Sequence, residues 1–171
     1  MMKLRNRRAL VLAGTAVALS LALSGCSAIN DILGSGSGDA DRDEETGQVT
    51  ESANIDVFSV KLGDCMADTG SGTLTDANVL PCDEPHDLEV FYEIKMDDGD
   101  FSDEAIDTAS QGCIGDAYTT FVGVAYADSA LDVTTLTPTK ESWEQNNDRV
   151  VQCLIVDPAG QTTGSLQGAA R

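Results

Sequence analysis

The chain has 171 residues, with 10 lysines and arginines against 29 aspartates and glutamates and a formal net charge of −19. That length holds one domain of ordinary size with appendages. A surface so acidic offers nothing to offset a polyanion's phosphates, so nucleic acid is not among the expected partners.

The chain opens with Lys3, Arg5, Arg7 and Arg8, then an apolar run from Ala9 to Leu23 broken only by Gly14, Thr15 and Ser20. A charged start, a short apolar stretch and small residues after it read as a secretory signal. The run is marginal for a permanent span, which takes about 20 apolar residues. Leu23-Ser24-Gly25-Cys26 then matches the lipobox of bacterial lipoproteins. Small residues leave the backbone accessible to the peptidase, and the cysteine thiol takes the diacylglyceryl group. The expectation is a lipoprotein signal peptide over 1–25, with lipidated Cys26 as the first mature residue on the outer face of the cell membrane. Acyl chains hold such an anchor at about 0.8 kcal/mol per buried CH₂. Loss of the leader takes four of the ten basic residues, leaving six against 29 acidic ones and a net charge near −23. Anionic lipid repels such a domain, so the anchor must supply the membrane affinity.

Residues 26–54 are read as a lipidated, disordered tether. Gly34-Ser35-Gly36-Ser37-Gly38 has the composition of a flexible coil, and Asp39 to Glu45 is a solvated charge cluster. The domain itself is placed at 55–158. Its first strand is predicted over Ile55 to Leu62, with Phe58, Val60 and Leu62 on one face, and its second over Ala77 to Cys82. The third, Asp87 to Ile94, sets Leu88, Val90, Tyr92 and Ile94 against Glu89, Phe91 and Glu93, the alternation of a sheet with one solvated face.

A helix follows, N-capped by Ser102 with Asp103 and Glu104 in its first turn, where the helix dipole favours acids. Phe101 and Ile106 form a hydrophobic staple. Ile106, Ala109, Cys113, Ala117 and Phe121 make one apolar stripe, and Gly123 terminates it. Later strands are predicted at Leu131 to Thr137 and Arg149 to Val156, and 159–171 is read as a flexible tail. The fold class is therefore α+β: a small antiparallel sheet with one main helix packed on it.

With Cys26 consumed by lipid, Cys65, Cys82, Cys113 and Cys153 remain, an even set that argues for two disulfides in an exported domain. Three connectivities exist. The favoured one joins Cys65 to Cys82 around a Gly-rich loop and Cys113 to Cys153 between helix and last strand. These bonds contribute roughly 3 and 4 kcal/mol by loop entropy. No Cys-x-x-Cys pair supports thiol exchange.

The only histidine, His86, sits in Pro81-Cys82-Asp83-Glu84-Pro85-His86-Asp87. A general base is conceivable there with Asp83, Glu84 or Asp87, but no nucleophile accompanies it in a known motif, and a Pro-bounded turn is the simpler reading. The acidic run Asp97-Asp98-Gly99-Asp100 with Ser102-Asp103-Glu104 lacks the ligand order of a calcium loop. Phosphate-loop, nucleophile-elbow and zincin motifs are absent. No catalytic residue, metal ligand or cofactor is therefore assigned. Trp143 reads as a core or rim anchor, Arg149 as the partner of a carboxylate, and His86, Trp143 and Arg149 stand as candidate binding residues.

The segments Val57-Phe58-Ser59-Val60-Lys61-Leu62-Gly63-Asp64-Cys65 and Val79-Leu80-Pro81-Cys82-Asp83-Glu84-Pro85-His86-Asp87-Leu88-Glu89-Val90-Phe91 carry a resemblance. So do Cys113 in its helix, Pro138 to Trp143, and Asp148-Arg149-Val150-Val151-Gln152-Cys153-Leu154. Together they resemble the septum formation family of actinobacterial envelope proteins over most of 55–156. The usual Gly before Asp-Arg is Asn147 here, which also suits a turn with positive φ. The resemblance implies an extracytoplasmic module without assigned catalysis, its four cysteines and His86 being part of the structural signature. The expected function is a non-enzymatic binding or scaffold module of the envelope, with envelope or division proteins as partners. The alternative is an envelope-polymer hydrolase using His86 and nearby carboxylates.

Overall fold

The computed structural model describes residues 39–171. The signal peptide, Cys26 and the tether up to residue 38 lie outside the described residues. Six strands form one antiparallel sheet: β1 (Ala53–Asp56), β2 (Cys65–Met66), β3 (Asp76–Leu80), β4 (Leu88–Lys95), β5 (Asp132–Leu136) and β6 (Val150–Val156), in the order β1-β3-β2-β4-β6-β5. Helical residues fill the β4–β5 connection as α1 (Asp103–Ser110), a 3-10 turn (Gln111–Ile114) and α2 (Asp116–Val122). A short α3 (Lys140–Gln145) precedes β6. The α+β class and both favoured disulfides are present, with Cα separations of 5.2 Å for Cys65–Cys82 and 5.5 Å for Cys113–Cys153.

The first predicted strand is cut short. The Asp56 side chain accepts from the Phe58 amide and starts a 3-10 turn over Val57–Ser59, so Val60 is buried while Phe58 and Leu62 face solvent. In β4 the predicted alternation holds until a bulge between Val90 and Tyr92, where one extra residue enters the strand opposite β6. Leu88 and Val90 enter a first core with Ile55, Met66, Val79 and Leu154. Phe91 and Ile94 join a second, with Ile106, Tyr118, Val122, Val151 and Ile155. The sheet therefore buries side chains on both faces, where the sequence led us to expect one solvated face.

The helix is also broken where one continuous stripe was expected. Gly115 leaves helical geometry and a new helix starts at Asp116. The break turns the second half, so that Tyr118 and Val122 are fully buried while Ala117 and Phe121 are only half-buried. Gly112 permits the close approach: a Cβ there would stand 3.0 Å from Ile94 Cδ1. Ser102 caps α1 through the Ala105 amide, and Gly123 ends α2 at φ 96°.

Both expected appendages prove to be folded in their described parts. Residues 39–50 form a strap: Asp41, Asp43, Gln48 and Thr50 pair through the backbone, Arg42 bridges Val49, and Ala40 and Val49 are buried in the first core. At the other end, His86 and Thr162 exchange backbone hydrogen bonds of 2.9 Å each, and the amides of Gly168 and Ala170 bond the Phe121 and Val122 carbonyls. Leu166 is buried in the second core. Composition pointed to disorder at both ends, but a few apolar side chains and paired backbone groups are enough to dock a short segment on an existing core.

Candidate functional site

The turn after β3 carries the single histidine of the chain, His86. It is closed at one end by Cys65–Cys82 and at the other by the backbone pairing of His86 with Thr162. His86 is 1% exposed. Its Nδ1 lies 2.9 Å from the Glu84 carbonyl, which can only accept, so Nδ1 carries the hydrogen and Nε2 faces the Thr162 hydroxyl at 3.2 Å. Neither ring nitrogen is left for a substrate. Glu89, expected on a solvated face, is buried beside it and accepts from Ser165 Oγ at 2.6 Å and the Leu166 amide at 2.8 Å. Cys65, His86 and Glu89 stand close enough together to suggest a metal site. Every donor is already engaged: the Cys65 sulfur in its disulfide, the imidazole by Glu84 and Thr162, the carboxylate by the C-terminal segment. Their arrangement is a buried fastening, since a polar group taken out of water must find partners within the protein.

Trp143 and Arg149, the other two candidates, meet. Thr139 and Ser142 form a reciprocal cap that starts α3 and turns Trp143 inward. Its Nε1 donates to the Gly99 carbonyl at 2.9 Å, and Phe101 packs against it edge-on. The Arg149 guanidinium lies 3.8 Å from the ring centroid and donates to the Trp143 and Asp148 carbonyls. Asp98 is its carboxylate partner at 3.4 Å. The turn before it is held by Asn147 at φ 54°, the positive value expected for that position. The Asp97–Glu104 segment thus serves the fold, giving Gly99 to Trp143, Asp98 to Arg149 and Ser102 to the α1 cap.

A third polar centre was invisible in the sequence. Asp64 is 1% exposed and takes both terminal nitrogens of Arg42, one at 2.9 Å, together with the Lys61 amide. The Asp64 carboxylate beside it raises the Arg42 pKa above its ordinary value. The strap is fastened to the domain through this pair.

An open cleft of about 1210 Å³ lies on the first-core face, over the part of the sheet that the strap leaves bare. Glu93, Lys95 and Gln152 supply its floor from β4 and β6; Phe58 and Glu141 stand among its walls. These residues come from four separate segments. The one signal available in the sequence was Gln152, a polar residue inside the apolar run Val150 to Val156.

Comparison with known proteins returns no match to any family model, curated protein or solved structure. Among the described residues, no helix is long and apolar enough to cross a membrane.

Proposed function

We propose that this chain is a lipid-anchored, non-enzymatic binding module of the bacterial cell envelope that works with proteins of septum formation. The observation that carries the reading is His86. The only histidine of the chain, and its best candidate for acid–base work, is buried with both ring nitrogens bonded, while the open face of the sheet holds a broad cleft. The charged start, apolar run and lipobox ending at Cys26 support the anchor. The Gly63-Asp64-Cys65 and Pro81-Cys82 to His86 segments support the septal link through their family resemblance.

Two measurements test it. A Cys26→Ala protein is expected in the soluble fraction with its domain intact, because Cys65, Cys82, Cys113 and Cys153 pair without it; firm membrane association of that variant overturns the anchor. A fluorescent fusion is expected to concentrate at division sites, and its deletion to disturb division. Uniform labelling with normal division overturns the septal link.

A further inference from the structure

We propose that the cleft on the first-core face receives a Lys/Arg-bearing peptide segment of a partner protein. The inference rests on the binding-module reading and names the chemistry of what is bound.

The floor carries an unmet acceptor. Gln152 is 9% exposed, and its Nε2 is spent on the Val60 carbonyl at 2.9 Å and on Glu93 Oε1 at 3.2 Å. Gln152 lines the cleft, and its Oε1 accepts no hydrogen bond from the protein and stays accessible to water. An arriving cationic N–H group replaces that water with a charge-assisted hydrogen bond. Glu93 beside it is exposed and keeps Oε2 without a partner, so the two offer adjacent acceptors to a single cationic head.

The walls fit the rest of such a side chain. Phe58 is 53% exposed on the cleft lining, a position where an aromatic face meets both a cation and its apolar stem. Six acidic residues and two basic ones line the cleft. Of the two cations, Arg149 is committed to Trp143 and Asp98, which leaves Lys95 alone against the carboxylates. An anionic or neutral segment would face that negative field unpaired, whereas a cationic one is steered into it. The cleft is open rather than enclosed and shaped by strand β4, α3 and the Phe58 turn, which suits a chain laid across the sheet better than a small molecule held inside a pocket.

The test uses purified protein starting at Cys26→Ala, titrated by fluorescence anisotropy with a labelled peptide of alternating Lys and Ala, at about 0.15 M salt, where distant charges are screened. Binding is expected, with no binding of the matching Glu-Ala peptide. Glu93→Gln and Phe58→Ala should each weaken it about tenfold, since each removes a contact to the cationic head or its stem. Asp107→Asn, the same charge change on exposed α1 against the opposite face, should weaken it less than about twofold. Equal effects of Glu93→Gln and Asp107→Asn would mean general attraction to an acidic protein and overturn the proposal. Spermine displacing the peptide at equal concentration would overturn the peptide class. Absence of binding overturns the occupant while septal localisation stands; loss of septal localisation with peptide binding intact overturns the septal reading and leaves the occupant standing.

Discussion

The two faces of the sheet are built from different materials. The second face is aromatic and heavily fastened: Phe91 meets Tyr118 and Phe121 at centroid distances of 5.9 and 5.4 Å, and Tyr118 meets Tyr126 at 5.3 Å. Cys113–Cys153 ties the helical segment to β6 on this side. Cys65 stands opposite Glu89 in the ladder, so its disulfide lies there too, and the C-terminal segment closes the layer over Glu89. The first face has no aromatic side chain in its core, only Ala, Val, Ile, Leu and Met, and it is covered by a strap held through Arg42 and Asp64. An aromatic layer with covalent ties makes a rigid platform, while an aliphatic face under a partial cover leaves sheet surface for a partner. The contrast places stability on one side and access on the other.

The largest test of that contrast is to remove the cover of the second face. Deleting 159–171 removes the Ser165 and Leu166 donors to Glu89 and the Thr162 backbone partner of His86, and opens the pocket of Leu166 to water. The expected loss is about 4 kcal/mol, from these hydrogen bonds and one lost apolar side chain. Urea unfolding measures it, and an unchanged midpoint would return this segment to the status of a tail. Next come the disulfides. The Cys113→Ala/Cys153→Ala pair should cost about 4 kcal/mol and Cys65→Ala/Cys82→Ala about 3, following their sequence separations of 40 and 17. Reversal of that order would show that native-state contacts, rather than loop closure, set their worth.

On the first face, Arg42→Ala should cost about 2 kcal/mol, below a fully buried pair because the Arg42 side chain keeps 12% of its exposure. Limited proteolysis should then cut within 43–48 at protein concentrations where the parent chain resists. Equal protease resistance would mean the strap stays down on Ala40 and Val49 alone.

The smallest effect concerns acid. The Asp157 carboxyl is held below the ordinary carboxylate range by the Ala159 amide first and by Arg171 as well, and that of Asp132 by the Tyr126 hydroxyl and the Val133 amide. Both groups bind protons less readily folded than unfolded. Their contribution is therefore fully present above the unfolded carboxylate pKa of about 3.9 and is lost as pH falls through the depressed folded values. Asp157→Asn should flatten the acid limb of a Tm–pH curve below about pH 4 and leave the Tm at neutral pH within a few degrees. An acid limb identical to the parent's would assign that stability elsewhere.

Much of the frame was legible beforehand for local reasons. Ser102 and Gly123 bound the helical segment because caps are chosen by the nearest backbone groups, and β6 was readable from its apolar run. The helix pattern failed at Gly112–Gly115, where β4 and β6 impose a close approach on one side of the turn. Alternation in β4 failed at its bulge, because register belongs to the pair of strands and not to either one. α3 escaped notice because its cap is Thr139 with Ser142, without the Glu or Gln that usually marks a capping box. Of the candidate site, His86, Trp143 and Arg149 were singled out by type. Glu93 and Phe58 were not, since nothing in their own segments distinguishes them, and Gln152 stood out only as a polar residue in the apolar run of β6.

What the sequence by itself determined is the chemistry that depends on neighbours in the chain: the α+β class, the helix caps, the positive φ at Asn147 and the four cysteines of the domain, Cys65, Cys82, Cys113 and Cys153. Only the tertiary structure decided the pairing of those cysteines, the two-sided core, the docking of both end segments and the composition of the cleft. The physical reason is distance along the chain. Arg42 and Asp64, Glu89 and Leu166, and Val60 and Gln152 lie 22, 77 and 92 residues apart, and a buried polar group takes whatever partner the folded backbone brings to it.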